Sequence, residues 1–352
     1  MNSIHPFREQ GAPNTLAFTL LRLLADSEFH SGEVLAQQLE ISRASVSNAL
    51  RGMENYGLTL YSVRGRGYRL VNPPQWLDAA HIASLLGEHG RHFQIEILDS
   101  TPSSNTLLLQ RTRLDVANGG PPSGSVLAVE WQSGGRGRLG RAWHSGLGNA
   151  LTFSLLWRFE CGLSALSGLS LATGVALMRA LHGLGVKGAR LKWPNDVLDT
   201  RDKKGNLKLA GILIETQGDV LGPSAVVIGI GLNLSLPQPV LHQINQPATS
   251  LAGMMDEVPE RNRLLAVLLR ELHGVLCEFA MHGFTALRAE WESHHALQDQ
   301  PVCLSLPDGS SVAGIARGVT GNGALKLETV QGMQIFNAGE ISLRSGGKHV
   351  AA

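Results

Sequence analysis

The apolar residues of this chain fall into three successive rhythms, and each implies a different architecture. From Leu16 to Leu24 they recur at helical spacing, the stripe of an amphipathic helix. Ser31 stands where a helix cap belongs, and a second helix is expected with Val34, Leu35 and Leu39 turned inward. Ile41 would fill the turn. Ser42 would cap a third helix, with Val46, Leu50 and Met53 at i, i+4, i+7 on its inner face. Leu60–Val63 and Tyr68–Leu70 alternate around Arg64-Gly65-Arg66-Gly67, which predicts a hairpin. Residues 15–72 therefore read as a winged helix-turn-helix behind a flexible tail at 1–14. The stretch Val71-Asn72-Pro73-Pro74 reads as a linker.

In the second region, 77–295, strand and helix patterns mix. Strands are expected at Val126–Trp131, Leu151–Trp157, Leu209–Glu215 and Ala225–Leu234, and helices at Leu166–Leu184 and Arg261–Phe279. That mixture predicts an α+β or α/β domain. After Gln300 the rhythm shortens. Strands separated by Pro307-Asp308-Gly309, Gly321-Asn322-Gly323 and Gly332 predict a small β-barrel over 296–347. The whole is an α+β multidomain chain.

Composition narrows the function. The 352 residues, 43% of them hydrophobic, fit two or three domains. Thirty basic residues face 29 acidic ones, so any nucleic-acid contact must come from a local patch. No apolar run reaches the roughly 18 residues of a membrane span, and the N-terminus lacks a signal-peptide pattern. Cys161, Cys277 and Cys303 fit no metal spacing and read as reduced thiols buried in the core of a cytoplasmic protein.

The third helix would show Arg43, Ala44, Ser47, Asn48 and Arg51 to the major groove, with Arg64 and Arg66 at the wing tip for phosphates. A packing module that contacts protein instead of DNA is the competing reading.

Four central segments carry chemistry. Gln132-Ser133-Gly134-Gly135-Arg136-Gly137-Arg138-Leu139-Gly140-Arg141 offers arginines on a backbone flexible enough to close over an anion; an RG-rich nucleic-acid segment is the alternative. Lys192-Trp193-Pro194-Asn195-Asp196 suits nucleotide and magnesium contact, or forms a polar turn. Lys208 leads into the apolar run Leu209–Ile214, where an unpaired cation is expensive, so an anionic partner is expected. Gly229-Ile230-Gly231-Leu232-Asn233-Leu234 implies close approach of a ligand or another backbone.

In this order the segments resemble the biotin–protein ligase family. With the winged helix ahead, the chain is similar to the bifunctional type, the biotin operon repressors. The resemblance runs from about Leu16 to Arg344 and includes Gly339-Glu340-Ile341-Ser342-Leu343-Arg344. It implies a ligase domain over 77–295, an SH3-like C-terminal barrel, and ATP, biotin and Mg2+ as ligands. Gln132, Arg136, Gly137, Arg138, Lys208 and Gly211 would surround biotin and its activated carboxylate, and Ser103, Ser104 and Asn105 would touch its rings. Arg138, Arg141, Trp143, Lys192, Asn195, Asn233 and Arg344 would sit near the nucleotide, and Asp196 would help with the metal. Arg136, Arg138, Lys192 and Lys208 form the implied catalytic set. Implied partners are a biotin carboxyl carrier protein, operator DNA and, with biotinyl-AMP bound, a second copy of the chain, with no membrane. Three features depart from the pattern: the family's Ser-Thr-Asn reads Ser103-Ser104-Asn105 here, with Ser100-Thr101 offering a second register; Leu139 stands where some relatives carry another arginine; and the polar stretch Asp199 to Asn206 reads as an inserted surface loop. A lipoate–protein ligase, a ligase whose winged helix no longer binds DNA, and a biotin sensor without ligase activity are the rival readings.

Overall fold

A computed structural model describes residues 13–114, 120–201, 206–218, 222–306, 309–337 and, for the backbone alone, 342–345. The N-terminal unit contains α1 (Thr15–Leu23), α2 (Gly32–Gln38), α3 (Arg43–Ala49) and the hairpin of β1 (Leu60–Val63) and β2 (Gly67–Leu70). Its helices start where side chains satisfy orphan backbone donors: Asn14, Ser31 and Ser42 accept from Ala17, Glu33 and Ser45 N–H. Val46, Leu50 and Met53 are buried as their spacing predicts. Val34 is not: it is 52% exposed, because α2 turns its neighbours Leu35 and Ala36 to the core.

The central unit follows with α4 (Ala79–Leu86), β3 (Gln94–Thr101), α5 (Ser104–Leu114), β4 (Ser125–Gln132), β5 (Ala150–Phe159), α6 (Leu169–Gly183), β6 (Ala189–Lys192), β7 (Asp196–Asp199), β8 (Leu207–Gly218), β9 (Ser224–Asn233), α7 (Gln238–Leu241), α8 (Arg261–His282) and α9 (Phe284–Ser293). Its sheet has the order β3-β4-β5-β9-β8-β7-β6. Only the β3–β4 pair is parallel. Strand periodicity divides the two faces. Val226, Ile228, Ile230 and Leu232 of β9 join the large core shared with α6 and α8, whereas Ala225 and Val227 join the smaller cluster with Leu108 of α5.

The C-terminal unit contains β10 (Pro301–Ser305), β11 (Ser311–Val319), β12 (Leu325–Thr329), β13 (Gly332–Phe336) and β14 (Ser342–Ser345), an antiparallel sheet ordered β13-β12-β11-β10-β14. Trp193, fully buried, ties it to the central unit by donating to Gly323 O at 3.0 Å.

The proline linker ends in a buried clamp. Glu130 accepts Leu77 N–H at 2.7 Å and Arg261 Nη1 at 2.5 Å, and Arg261 also donates to Gln75 O and Ala150 O. One residue along β4, Trp131 meets Tyr56 edge-on at 5.2 Å. Arg22 lies over Trp76 and pairs with Asp99 of β3. The N-terminal core thus continues into Trp76, Trp131 and Leu147 beyond the linker.

Two further expectations are corrected. The three cysteines are free thiols but half-buried rather than core residues. Asp199 belongs to β7, not to a surface insertion; it is 4% exposed because Arg201 pairs with it at 2.9 Å. Residues 202–205 of that stretch lie outside the described residues.

Candidate active site

The cavity opens on the α5 face of the sheet, where strand side chains shrink. Along β9 the residues facing α5 run Ala225, Val227, Gly229, Gly231. A methyl group at Gly229 would come within 2.2 Å of Asn105 Oδ1, and one at Gly231 within 2.4 Å of the Trp143 ring. These glycines make room for two side chains of the site: where the sequence implied close approach of a ligand or another backbone, the side chains of Asn105 and Trp143 approach instead.

The wall consists of the start of α5, the loop after β4, the β6–β7 turn and the cavity face of β8. The loop closes on itself as a small hairpin: Trp143 N donates to Gly135 O at 2.8 Å and Gly137 N to Arg141 O at 2.7 Å. At its tip Leu139 is 66% exposed with φ at +55°, an uncommon conformation for a branched side chain. Arg136, Arg138, Arg141, Lys192 and Lys208 line the cavity, and Asp196 is the sole carboxylate on the wall among the described residues. That excess of positive charge suits a ligand with several anionic groups.

Three of these cations are held in different ways. Lys208 has the anionic partner its sequence position calls for: Asp196 Oδ1 lies 2.8 Å from its Nζ. Arg136 reaches both oxygens of Glu215, at 2.9 and 2.8 Å. Arg138 Nη1 is 3.4 Å from Asn195 Oδ1. Burial lowers the Arg138 guanidinium pKa, with Asp196 opposing that shift and Arg141 adding to it. Asn195 also bonds Ile212 in both directions, through its side chain at 2.8 Å and its backbone oxygen at 2.9 Å. The Lys-Trp-Pro-Asn-Asp turn is thereby both a structured turn and part of the wall.

Ser103, Ser104, Asn105, Gln132, Gly137, Gly211 and Trp143 also border the cavity, whereas Ser100 and Thr101 remain in β3. Gln132 Oε1 accepts Ser104 N–H at 2.6 Å. The Trp143 indole N–H is buried without a protein acceptor. Asn233 stands apart: it is 3% exposed and donates to Thr249 O at 2.9 Å, fixing the strand end. Arg344 lies in β14 opposite Cys303, and its side chain lies outside the described residues. Sequence reasoning missed Thr152 and Gln246 on the wall, and Ser154 and Glu215 behind it. Thr152 and Ser154 were signalled by alternate polar positions in the apolar strand LTFSLLW.

On the N-terminal unit, Arg43, Asn48 and Arg51 are exposed and Ser47 is half-buried. Arg51 donates to Asn48 Oδ1 at 3.0 Å, so these two present a joined polar surface. Arg64 projects from the wing tip, while the exposed Arg66 stacks on Phe29 with its guanidinium 4.1 Å from the ring centre.

Comparison with known proteins places these units. Residues 98–233 match the model of the Biotin/lipoate A/B protein ligase family, 17–69 an HTH domain and 299–344 the Biotin protein ligase C terminal domain. The chain is 38% identical to the bifunctional ligase/repressor BirA of Salmonella typhimurium, covering 94% of this chain and 98% of that one. It is 37% identical to the protein of the same name from Escherichia coli, over 95% and 99% of the two chains. Among solved structures, the biotin protein ligase of Aquifex aeolicus in complex with biotin and ATP is similar with a TM-score of 0.59 and 25% identity, over 72% of this chain and 99% of that one.

Proposed function

This chain belongs to the biotin–protein ligase family, and from that premise we propose how its residues divide the reaction. The protein is an ATP-dependent biotin–protein ligase and a repressor acting through its helix-turn-helix unit. Its acceptor is a biotin carboxyl carrier protein, and its repressor target is operator DNA.

In the first half-reaction the biotin carboxylate attacks the α-phosphorus of ATP, pyrophosphate leaves, and biotinyl-AMP remains. In the second, a lysine amine of the carrier attacks the acyl carbon and AMP leaves. Two anions must meet in the first step, so the wall cations act by position and charge. Lys208 bridges the biotin carboxylate and the phosphate; an ammonium has three hydrogens, so its pair with Asp196 leaves donors for an anion. Arg138, Lys192 and Arg141 face the phosphates, and the Trp143 indole, buried without an acceptor, lies at the nucleotide end. Ser103, Ser104 and Gln132 address the biotin rings. The hairpin 135–143 covers the adenylate and limits water. Asp196, the carboxylate on the wall, would be the residue to hold a magnesium ion brought in with ATP, which would supply neutralisation of the phosphate charge. The cavity with five cations and one carboxylate carries this assignment.

For DNA, α3 enters the major groove with Arg43, Ser47, Asn48 and Arg51, and Arg64 contacts phosphate. Biotinyl-AMP promotes a homodimer that reads two half-sites, and unbiotinylated carrier competes for the same surface. No helix among the described residues is long and apolar enough to cross a membrane, and the half-buried free thiols suit a cytoplasmic setting.

Transfer of labelled biotin to a purified carrier domain, run beside an operator-shift titration, tests both activities. Transfer of lipoate in place of biotin would overturn the substrate. Sedimentation with and without biotinyl-AMP tests the dimer, and identical mass in both states would refute it. A protein lacking residues 1–72 is expected to lose operator binding and keep measurable ligation.

A further inference from the structure

We propose that Glu215 is a positioning residue that locks the biotin end of the cavity to the Gly-Arg loop. The inference rests on the ligase reading above and assigns a role to a side chain that the cavity wall does not include.

Strand periodicity places Glu215 on the same face of β8 as Gly211 and Leu213, which do line the cavity. Its carboxylate holds two segments remote in sequence. Arg136 of the loop donates to both of its oxygens, at 2.9 and 2.8 Å, across 79 residues. Asn105 of α5 donates to Oε2 at 3.1 Å, across 110 residues.

The hydrogen bonds of Asn105 show what that second contact does. Its other amide proton goes to Leu213 O at 3.2 Å, and its oxygen accepts the Ser154 hydroxyl at 2.5 Å. Ser154, fully buried, is also 2.7 Å from Ser104 Oγ. Both donors of Asn105 are used internally and its acceptor is engaged, so it frames the pocket floor over Gly229 more than it addresses a ligand. Glu215 fixes which way the amide points, because only a donor satisfies a carboxylate. Ser154 must then donate to the amide oxygen, which sets the Ser104 hydroxyl in turn.

The first contact governs the loop. Arg136 is bridged to Ala142 by backbone pairing, so anchoring its guanidinium anchors the hairpin that carries Arg138 and Arg141. The carboxylate also neutralises one wall cation from behind, leaving Arg136 an anchor while its neighbours meet the ligand.

The two contacts separate chemically. Glu215→Gln keeps an acceptor for Asn105 but gives up the charge that holds Arg136, whereas Glu215→Ala gives up both. Biotin KM in the adenylation half-reaction and the dissociation rate of biotinyl-AMP are measured for the full-length protein and these variants. Glu215→Ala is expected to raise biotin KM about tenfold and to speed adenylate loss about tenfold, the scale of a lost charge-assisted hydrogen bond. Glu215→Gln is expected to hold KM near wild type while adenylate loss still accelerates. Combining Glu215→Ala with Arg136→Ala should release adenylate no faster than Arg136→Ala alone. Wild-type values in both variants, or equal damage to both quantities in both variants, would overturn the proposal. A wild-type protein that binds no biotin would overturn the ligase reading as well; a wild type that turns over beside unaffected variants overturns this one alone.

Discussion

At the junction below the winged helix, Glu130 and Arg261 pair with each side chain 2% exposed or less; Leu77 N–H adds a donor to Glu130 and the carbonyls of Gln75 and Ala150 add acceptors for Arg261, whose buried Nε has no protein partner among the described residues. In the cavity, Lys208 and Asp196 pair at 2.8 Å but keep 17% and 16% exposure, among four further cations, with no second carboxylate on the wall among the described residues. The junction balances its charges internally and therefore holds four chain segments together, the linker, β4, β5 and α8. The cavity leaves positive charge in excess, which raises the energy of the empty site and is relieved by a polyanionic ligand. Closely similar residue chemistry thus serves stability in one place and binding in the other, and what differs is whether the protein supplies the last partner.

The sharpest way to break this contrast is to empty one side of the junction. Glu130→Ala should lower folding stability by about 3–5 kcal/mol, the scale for stranding a buried charge. Denaturant unfolding measures it, and a loss below about 1 kcal/mol would show the pair to be dispensable. Arg138→Ala is the counterpart in the cavity. It should weaken biotinyl-AMP formation or retention by about 2–5 kcal/mol while leaving the melting temperature unchanged or higher, since burial already disfavours this cation. Wild-type adenylate yield and lifetime would remove Arg138 from the site.

His295 tests a buried polar group that forms no ion pair among the described residues, with Gln298 at 3.5 Å and the charge of the nearby Asp299 only partly opposing the effect of burial. It packs against Trp291 beside the strand that carries Lys192, and burial brings its pKa down to about 4. Its folded pKa lies below its unfolded value, so the unfolded chain takes up the proton first. Stability should fall as pH drops from about 6.5 to 4, by on the order of 3 kcal/mol in total. His295→Gln should flatten that acid limb in urea titrations, and an unchanged limb would assign the acid sensitivity elsewhere. The smallest effect belongs to the Arg22–Asp99 pair, which joins α1 of the N-terminal unit to β3 of the central unit but is 41% and 33% exposed. Arg22→Ala should change stability by less than about 1 kcal/mol in thermal melts. A larger loss would mean that the interface, not the buried clamp, holds the units in place.

The elements themselves were legible along the chain. Helical and alternating patterns located α1, α3, β4, β5, β8 and β9 to within a few residues, because one buried face imposes a period that composition cannot hide. Val34 escaped because an apolar residue at the edge of a short helix carries no mark of which way the helix rolls against its neighbours. The cavity residues were legible as motifs, since glycine and arginine at fixed spacing carry a chemical meaning before any fold is known. Their supports were not. Glu215, Ser154 and Glu130 acquire roles only when strands are packed against helices 49 to 131 residues away in the chain. In the sequence Glu215 is only the last residue of the strand Leu209–Glu215, until the structure sets Asn105 and Arg136 against it. Local sequence determines which groups exist and the period at which they repeat. Tertiary packing decides which charges are matched, because the energy of an ion pair depends on distance and burial, and neither is written locally in the chain.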